Sequence, residues 1–99
     1  MAGKTKRRTR VVKRKLVPTM VKRRVRNEKA VEGYMANPDW RGPDFCGNNG
    51  EPTAYLDDND QWVASAGNHR MEAAVRTNRK IHVYFHVPVG MEAPVGSWW

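Results

Sequence analysis

Cysteine is almost absent from this sequence, which contains only Cys46, and long apolar runs are missing. One cysteine cannot form a disulfide within the chain, which excludes a small disulfide-stapled scaffold and suits a reducing cytoplasm. No segment reaches the length of a membrane span or of a signal-peptide core, so no membrane partner is expected. One cysteine and three scattered histidines match no zinc-ligand spacing. These absences predict a soluble, cytoplasmic protein without a bound metal.

Acidic side chains are also scarce in the first 29 residues, where Glu28 is the only one among thirteen Lys and Arg. That segment carries a charge of +12 and the rest of the chain −4, which together give the net charge of +8. Such asymmetry indicates a polyanionic partner, nucleic acid before membrane, although a solubilising tail is the simpler alternative. We expect phosphate-backbone contacts, to DNA rather than RNA, from Lys4, Lys6, Arg7, Arg8, Arg10, Lys13, Arg14, Lys15, Lys22, Arg23, Arg24 and Arg26.

Aromatic residues do not occur before Tyr34, so base stacking is not expected from the basic segment. At the other end, Trp98 and Trp99 either fold back onto the sheet or anchor a protein partner, since Trp is enriched at interface hot spots. Both readings stay open.

The elements predicted from periodicity and turn residues describe one small α/β (α+β) domain with a short mixed sheet and two or three helices. We place a basic, disordered arm at residues 1–15 and a single domain at 16–99, and the apolar pairs also predict an edge strand near residues 10–17. The remaining elements are a helix after the N-cap Asn27, a loop at 37–52, a hairpin of strands 53–57 and 61–66, a helix at about 69–77 and a strand at 81–87. Met71, Ala74 and Val75 are predicted to face inward.

The segment Gly67–Arg70 lies where the second hairpin strand gives way to the second helix. A glycine at such a turn lets the backbone approach a ligand closely, and the helix start directs N–H groups and a positive dipole end into the same space. Arg70 adds a bidentate cation suited to phosphate. We therefore predict a phosphate or nucleotide site formed by Gly67, Asn68, His69 and Arg70. The alternatives are an ion pair of Arg70 with Glu72 or Asp57, and helix capping by His69.

The run from Gly67 to Ala73 fits the pattern G-x-x-R-x-x-A and resembles the ParB/sulfiredoxin superfamily, as do the flanking hairpin, helix and strand. The resemblance covers about residues 52–88 and implies a ParB-like domain whose relatives include CTP-binding partition proteins, nucleases and sulfiredoxin. It leaves the cofactor unknown and permits a nucleoside triphosphate with a divalent cation. Asn68 stands where sulfiredoxin has its catalytic cysteine, and Ala66 where many relatives have aspartate. These departures exclude peroxiredoxin repair and weaken a metal-dependent nuclease reading.

Two other polar clusters are interpreted as ordinary surface features. Asp57, Asp58 and Asp60 are typical of a solvated turn, with a divalent ion as the alternative. His82, Tyr84 and His86 alternate along one strand and form a polar and aromatic stripe, which is more often a solvent-facing sheet surface than a site.

Three functions follow from these observations. The first is a small basic ParB-like protein that binds nucleic acid through its arm and a phosphate or nucleotide at Gly67–Arg70. The second is a nuclease or nucleotide hydrolase, in which His69 and Arg70 would act; enzymatic activity is the less favoured reading. The third is a non-catalytic accessory or inhibitor protein, and the small size and basic arm suit a phage gene.

Overall fold

A computed structural model describes residues 8–37 and 51–95 of the chain. In the described residues, a five-stranded mixed sheet and two helices form a small α+β domain. The elements are β1 (Thr9–Leu16), β2 (Val21–Lys22), α1 (Glu28–Ala36), β3 (Thr53–Leu56), β4 (Trp62–Ala66), α2 (Asn68–Arg76) and β5 (Ile81–Pro88). The strands lie in the order β1-β5-β3-β4-β2. The predicted α+β class, with a mixed sheet and two or three helices, is confirmed by the two helices of the described residues, whereas the ParB/sulfiredoxin-like fold stays a prediction.

Strand β1 forms one edge of the sheet and pairs antiparallel with β5 from Thr9 opposite Pro88 to Leu16 opposite Ile81. The predicted edge strand is therefore confirmed. The predicted boundary at residue 15 is displaced, because residues 9–15 belong to the sheet and not to the arm. Their Lys and Arg density is typical of a disordered arm, but an exposed edge strand tolerates the same composition.

Strands β3 and β4 form the predicted antiparallel hairpin, with Tyr55 opposite Val63. Asp57 closes its turn, since Asp57 Oδ1 accepts hydrogen bonds from the N–H groups of Asn59 and Gln61, both 2.9 Å away. After β4 the chain passes through α2 and returns as β5, which pairs parallel with β3. The short strand β2 was not predicted. It is two residues long and pairs parallel with β4, so no period was available to indicate it.

The core lies on one face of the sheet. Val83, Phe85 and Val87 of β5 are fully buried and pack with Met71 of α2 in one cluster. The Trp62 ring meets the Phe85 ring edge to face at 5.1 Å between centroids. Alternation along β5 therefore buries Val83, Phe85 and Val87 on the face that Met71 contacts, as the sequence predicted.

Helix α2 packs on that side of the sheet through Met71, and α1 rests on α2. Asn27 caps α1 as predicted, because its side chain accepts from the N–H groups of Lys29 and Ala30. Val31 and Tyr34 of α1 form a second buried cluster with Ala73. This contact explains one difference from the predicted inward residues of α2: Ala73 is buried and Val75 is only half-buried. The second helix has two partners, so its buried stripe is wider than one sheet contact requires.

Gly67 makes the turn from β4 into α2. Its φ of +77° is left-handed, and a Cβ built there would lie 2.7 Å from the Pro52 Cα. A side chain is thus disfavoured twice, by backbone conformation and by contact with the chain entering β3.

We predict that Gly67→Ala destabilises the domain by more than the ~1–2 kcal/mol that alanine usually pays in this conformation. Gly90→Ala is the matched control, because Gly90 has φ +95° but nothing within 4 Å of the added Cβ. Urea unfolding of both variants measures the difference. Equal losses would show that the Pro52 contact is unimportant.

Candidate functional site

The predicted phosphate site lies at the start of α2. Gly67 is its N-cap residue in the left-handed conformation, and no side chain caps the helix. The first intrahelical bond runs from the Met71 N–H to the Gly67 oxygen at 2.8 Å. The N–H groups of Asn68, His69 and Arg70 precede that bond, and no acidic residue occupies the first turn.

The side chains of Asn68 and His69 contact the segment between β2 and α1. Asn68 Oδ1 accepts from the Arg24 N–H at 2.8 Å. His69 Nε2 accepts from two N–H groups, those of Arg26 at 3.0 Å and Asn27 at 3.1 Å. His69 was predicted either to contact a phosphate or to cap α2. Its contacts are those of a residue at a helix start, but they support the start of α1 and not of α2.

Arg70 lies against α1. Its guanidinium carbon is 5.3 Å from the centroid of the Tyr34 ring, within the range of a cation–π contact. Within residues 8–37 and 51–95 it forms no ion pair, so the alternative pairing with Glu72 or Asp57 is not the one the structure contains. Its charge is not neutralised by a carboxylate and remains available to an anion that approaches the α1–α2 boundary.

An ion-pair chain crosses the same boundary, and sequence reasoning missed it. Arg23 Nε contacts Glu72 Oε1 at 2.7 Å, and Arg76 Nε contacts Glu72 Oε2 at 2.8 Å. Arg76 also donates to both carboxylate oxygens of Glu28, at 2.6 and 2.9 Å. The spacing of Glu72 and Arg76 is a visible helical pair, but Arg23 is 49 positions from Glu72 and leaves no local signal.

Arg23 therefore has a structural role, because its side chain connects parts of the domain. Its Nη1 donates to the backbone oxygens of Pro18 and Val21, and its side chain is only 18% exposed. Arg23 was predicted to contact nucleic acid, but its contacts in the structure are those of a structural residue.

The other basic residues divide between the two faces of β1. Arg10 donates to the Met91 oxygen and Arg14 to the Pro94 oxygen, so both hold the C-terminal segment on the core side. Lys13 and Lys15 alternate with them and face the opposite side, where the Lys13 ammonium lies 5.6 Å from the Tyr84 ring centroid. Lys13, Lys15 and Lys22 form no ion pair within the described part of the chain.

The structure also brings the two predicted sites together. Arg24 and Arg26 are exposed, and their backbone N–H groups bond to Asn68 and His69. Cations from the basic segment therefore border the start of α2. Lys4, Lys6, Arg7, Trp98 and Trp99 lie outside the described residues, as does Cys46.

No metal centre is formed by the residues that the structure describes: they contain no group of three or more His, Cys, Asp or Glu able to hold an ion. Neither of the described helices has the length and apolar character needed to cross a bilayer. Comparisons of the chain with protein-family models, with curated proteins and with solved structures find no match.

Glu72 should make folding sensitive to acid. Hydrogen bonds from Arg23, and then from Arg76, hold the pKa of Glu72 below its usual value. A depressed carboxyl pKa contributes stability above the unfolded-state pKa of about 4.3, and this contribution is lost as the pH falls through the lower folded-state value.

We therefore expect Glu72→Gln to cost about 1–3 kcal/mol at pH 7, because two charge-assisted hydrogen bonds lose their ionised acceptor. The variant should also lose less stability than the wild type on acidification below about pH 4.3. Urea unfolding between pH 7 and pH 3 checks both effects. Glu32→Gln is the control, since Glu32 is exposed on α1; the same loss from both variants would contradict the role of the ion-pair chain.

Proposed function

We propose that this domain is a ParB/sulfiredoxin-like nucleic-acid-binding protein whose main contact is the basic edge of its sheet. The observation that carries the proposal is the position of β1. Arg8, just before this outer strand, and Lys13 on it are exposed, and in the described residues neither of them pairs with a carboxylate. Cations that keep their charge in this way are free to neutralise phosphates.

The order of β1 adds to the expected affinity. A strand hydrogen-bonded to β5 over eight residues holds its lysines at a fixed spacing before any ligand arrives. Less side-chain and backbone freedom is then lost on binding than when a disordered arm contacts the polymer. Each phosphate that is neutralised releases condensed counterions, so the affinity should fall steeply with salt.

This proposal predicts that the double variant Lys13→Gln/Lys15→Gln makes the negative slope of log K against log salt shallower by about 1.8 on duplex DNA, since each lost phosphate contact removes about 0.9 from its magnitude. Fluorescence anisotropy with one labelled duplex between 50 and 200 mM salt measures the slope. Lys29→Gln is the control because Lys29 is exposed on α1, away from the sheet edge. A control variant as damaging per lysine as the double variant would point to net charge and not to β1.

A phosphate or nucleotide at the Gly67–Arg70 loop is the second candidate function, favoured by the uncapped helix start. The side chains of Asn68 and His69 are already engaged, so a ligand would bind the N–H groups of the first turn and the guanidinium of Arg70. Arg24 and Arg26 add positive charge nearby. Hydrolysis of such a ligand, or cleavage of nucleic acid, would need a group that activates water, such as a bound metal ion. The described residues contain no cluster of three or more His, Cys, Asp or Glu that could hold one.

Thermal unfolding with a panel of nucleoside triphosphates, with and without Mg²⁺, tests this second function. A ligand at 100 times its Kd should stabilise the wild-type domain by about 2.7 kcal/mol. Arg70→Ala should remove most of that gain when each variant is compared with its own ligand-free Tm, which corrects for the lost Tyr34 contact. Equal ligand-induced shifts in both proteins would exclude Arg70 from the site.

A further inference from the structure

The face of the sheet opposite the helices carries an ordered set of aromatic and basic side chains. We infer that this open face stacks the bases of single-stranded nucleic acid. The inference rests on the proposed function. It specifies that the nucleic acid is single-stranded and which surface of the domain binds it. The open face is defined here by Val11, Lys13 and Lys15 of β1, Lys22 of β2, Tyr55 of β3, Val63 of β4, and His82, Tyr84 and His86 of β5.

Strand register places these residues in two rows that run across the sheet. The first row joins Val11, His86, Tyr55, Val63 and Lys22, which are successive partners on all five strands. The second row contains Lys13 opposite Tyr84, which is in turn opposite Thr53. Neighbouring rows on one face are two residues apart, about 6.6 Å. Tyr84 and Tyr55 therefore lie on adjacent strands, one row apart, near the middle of the sheet.

The two tyrosines are accessible, whereas the aromatic residues of the opposite face are used in the core. Tyr55 is 43% exposed, and Tyr84 is partly exposed beneath the Lys13 ammonium. In contrast, Phe85 is fully buried and Trp62 packs against it. Helix α2 lies on the Phe85 side, since Met71 joins its cluster, and α1 packs on α2.

Cations border the aromatic centre on both sides. Lys13 and Lys15 lie on the β1 edge, and Lys22 lies on the β2 edge. Five strands spaced by about 4.8 Å make the face about 19 Å wide. A polymer crossing it from edge to edge would thus meet positive charge, then aromatic rings, then positive charge. This is the charge and stacking pattern that single-stranded nucleic acids require.

Single strands fit this face better than a duplex does. Stacking on a protein ring needs an unpaired base whose flat side is free, and a duplex keeps its bases stacked on each other. The aromatic residues missing from the first 33 positions are supplied by β3 and β5 once the sheet forms. A base that stacks on the Tyr84 ring would displace the Lys13 ammonium from it. The ammonium can then pair with the adjoining phosphate.

The test compares a labelled 12-nucleotide single strand, as oligo-dT and as oligo-U, with a labelled 12-base-pair duplex DNA at one salt concentration. Tyr84→Leu and Tyr55→Leu should each weaken single-strand binding at least about fivefold and leave duplex binding unchanged, because only stacking is lost. Tyr84→Phe and Tyr55→Phe are the matched controls, since they keep the ring, and should bind as the wild type does. Thermal unfolding confirms that all four variants are folded.

The possible results separate this inference from the function on which it rests. Wild-type protein that binds both polymers, with no loss in the leucine variants, would overturn the stacking surface and leave the basic edge intact. Wild-type protein that binds neither polymer would overturn both. A loss in the phenylalanine variants equal to that in the leucine variants would assign the effect to the hydroxyl groups and would also overturn stacking. The relative affinities of oligo-dT and oligo-U then decide between DNA and RNA.

Discussion

The central position of β5 is the constraint on which the rest of the structure depends. This strand pairs with β1 on one side and with β3 on the other, so it joins the basic N-terminal strand to the hairpin. Its alternation sends Val83, Phe85 and Val87 into the core and Tyr84 to the opposite face. One strand thereby sets the packing of α2, the order of the basic edge and the aromatic centre of the open face. A change of one residue in its register would exchange the two faces.

The start of α2, where we propose a phosphate site, is also a structural motif of the fold. A left-handed glycine against Pro52 fixes the turn, while Asn68 and His69 accept backbone hydrogen bonds from the segment that leads into α1. These contacts use side chains, whereas a phosphate would use the backbone N–H groups. The two roles are therefore compatible, although the structural contacts account for why asparagine and histidine stand there.

The fold divides the basic side chains into two groups: those that connect parts of the structure and those that remain exposed. Arg23 and Arg76 share the carboxylate of Glu72, and Arg10 and Arg14 hold backbone oxygens of the C-terminal segment. Lys13, Lys15 and Lys22 remain without a carboxylate partner in the described ranges. The strongly basic composition therefore overstates the number of cations available to a polyanion, because arginine side chains with several donors are used to connect elements.

Local features of the sequence determined the helix that starts at Asn27, the hairpin around Asp57, the alternation of β5 and the separation of charge between the first 29 residues and the rest. Each depends on neighbouring residues alone, through capping, turn conformation or side-chain period. Only the tertiary structure decided that residues 9–15 join the sheet, that Arg23 meets Glu72, and that Lys13 lies over Tyr84. Those contacts link positions tens of residues apart. They are set by strand register and helix packing, which no local pattern specifies.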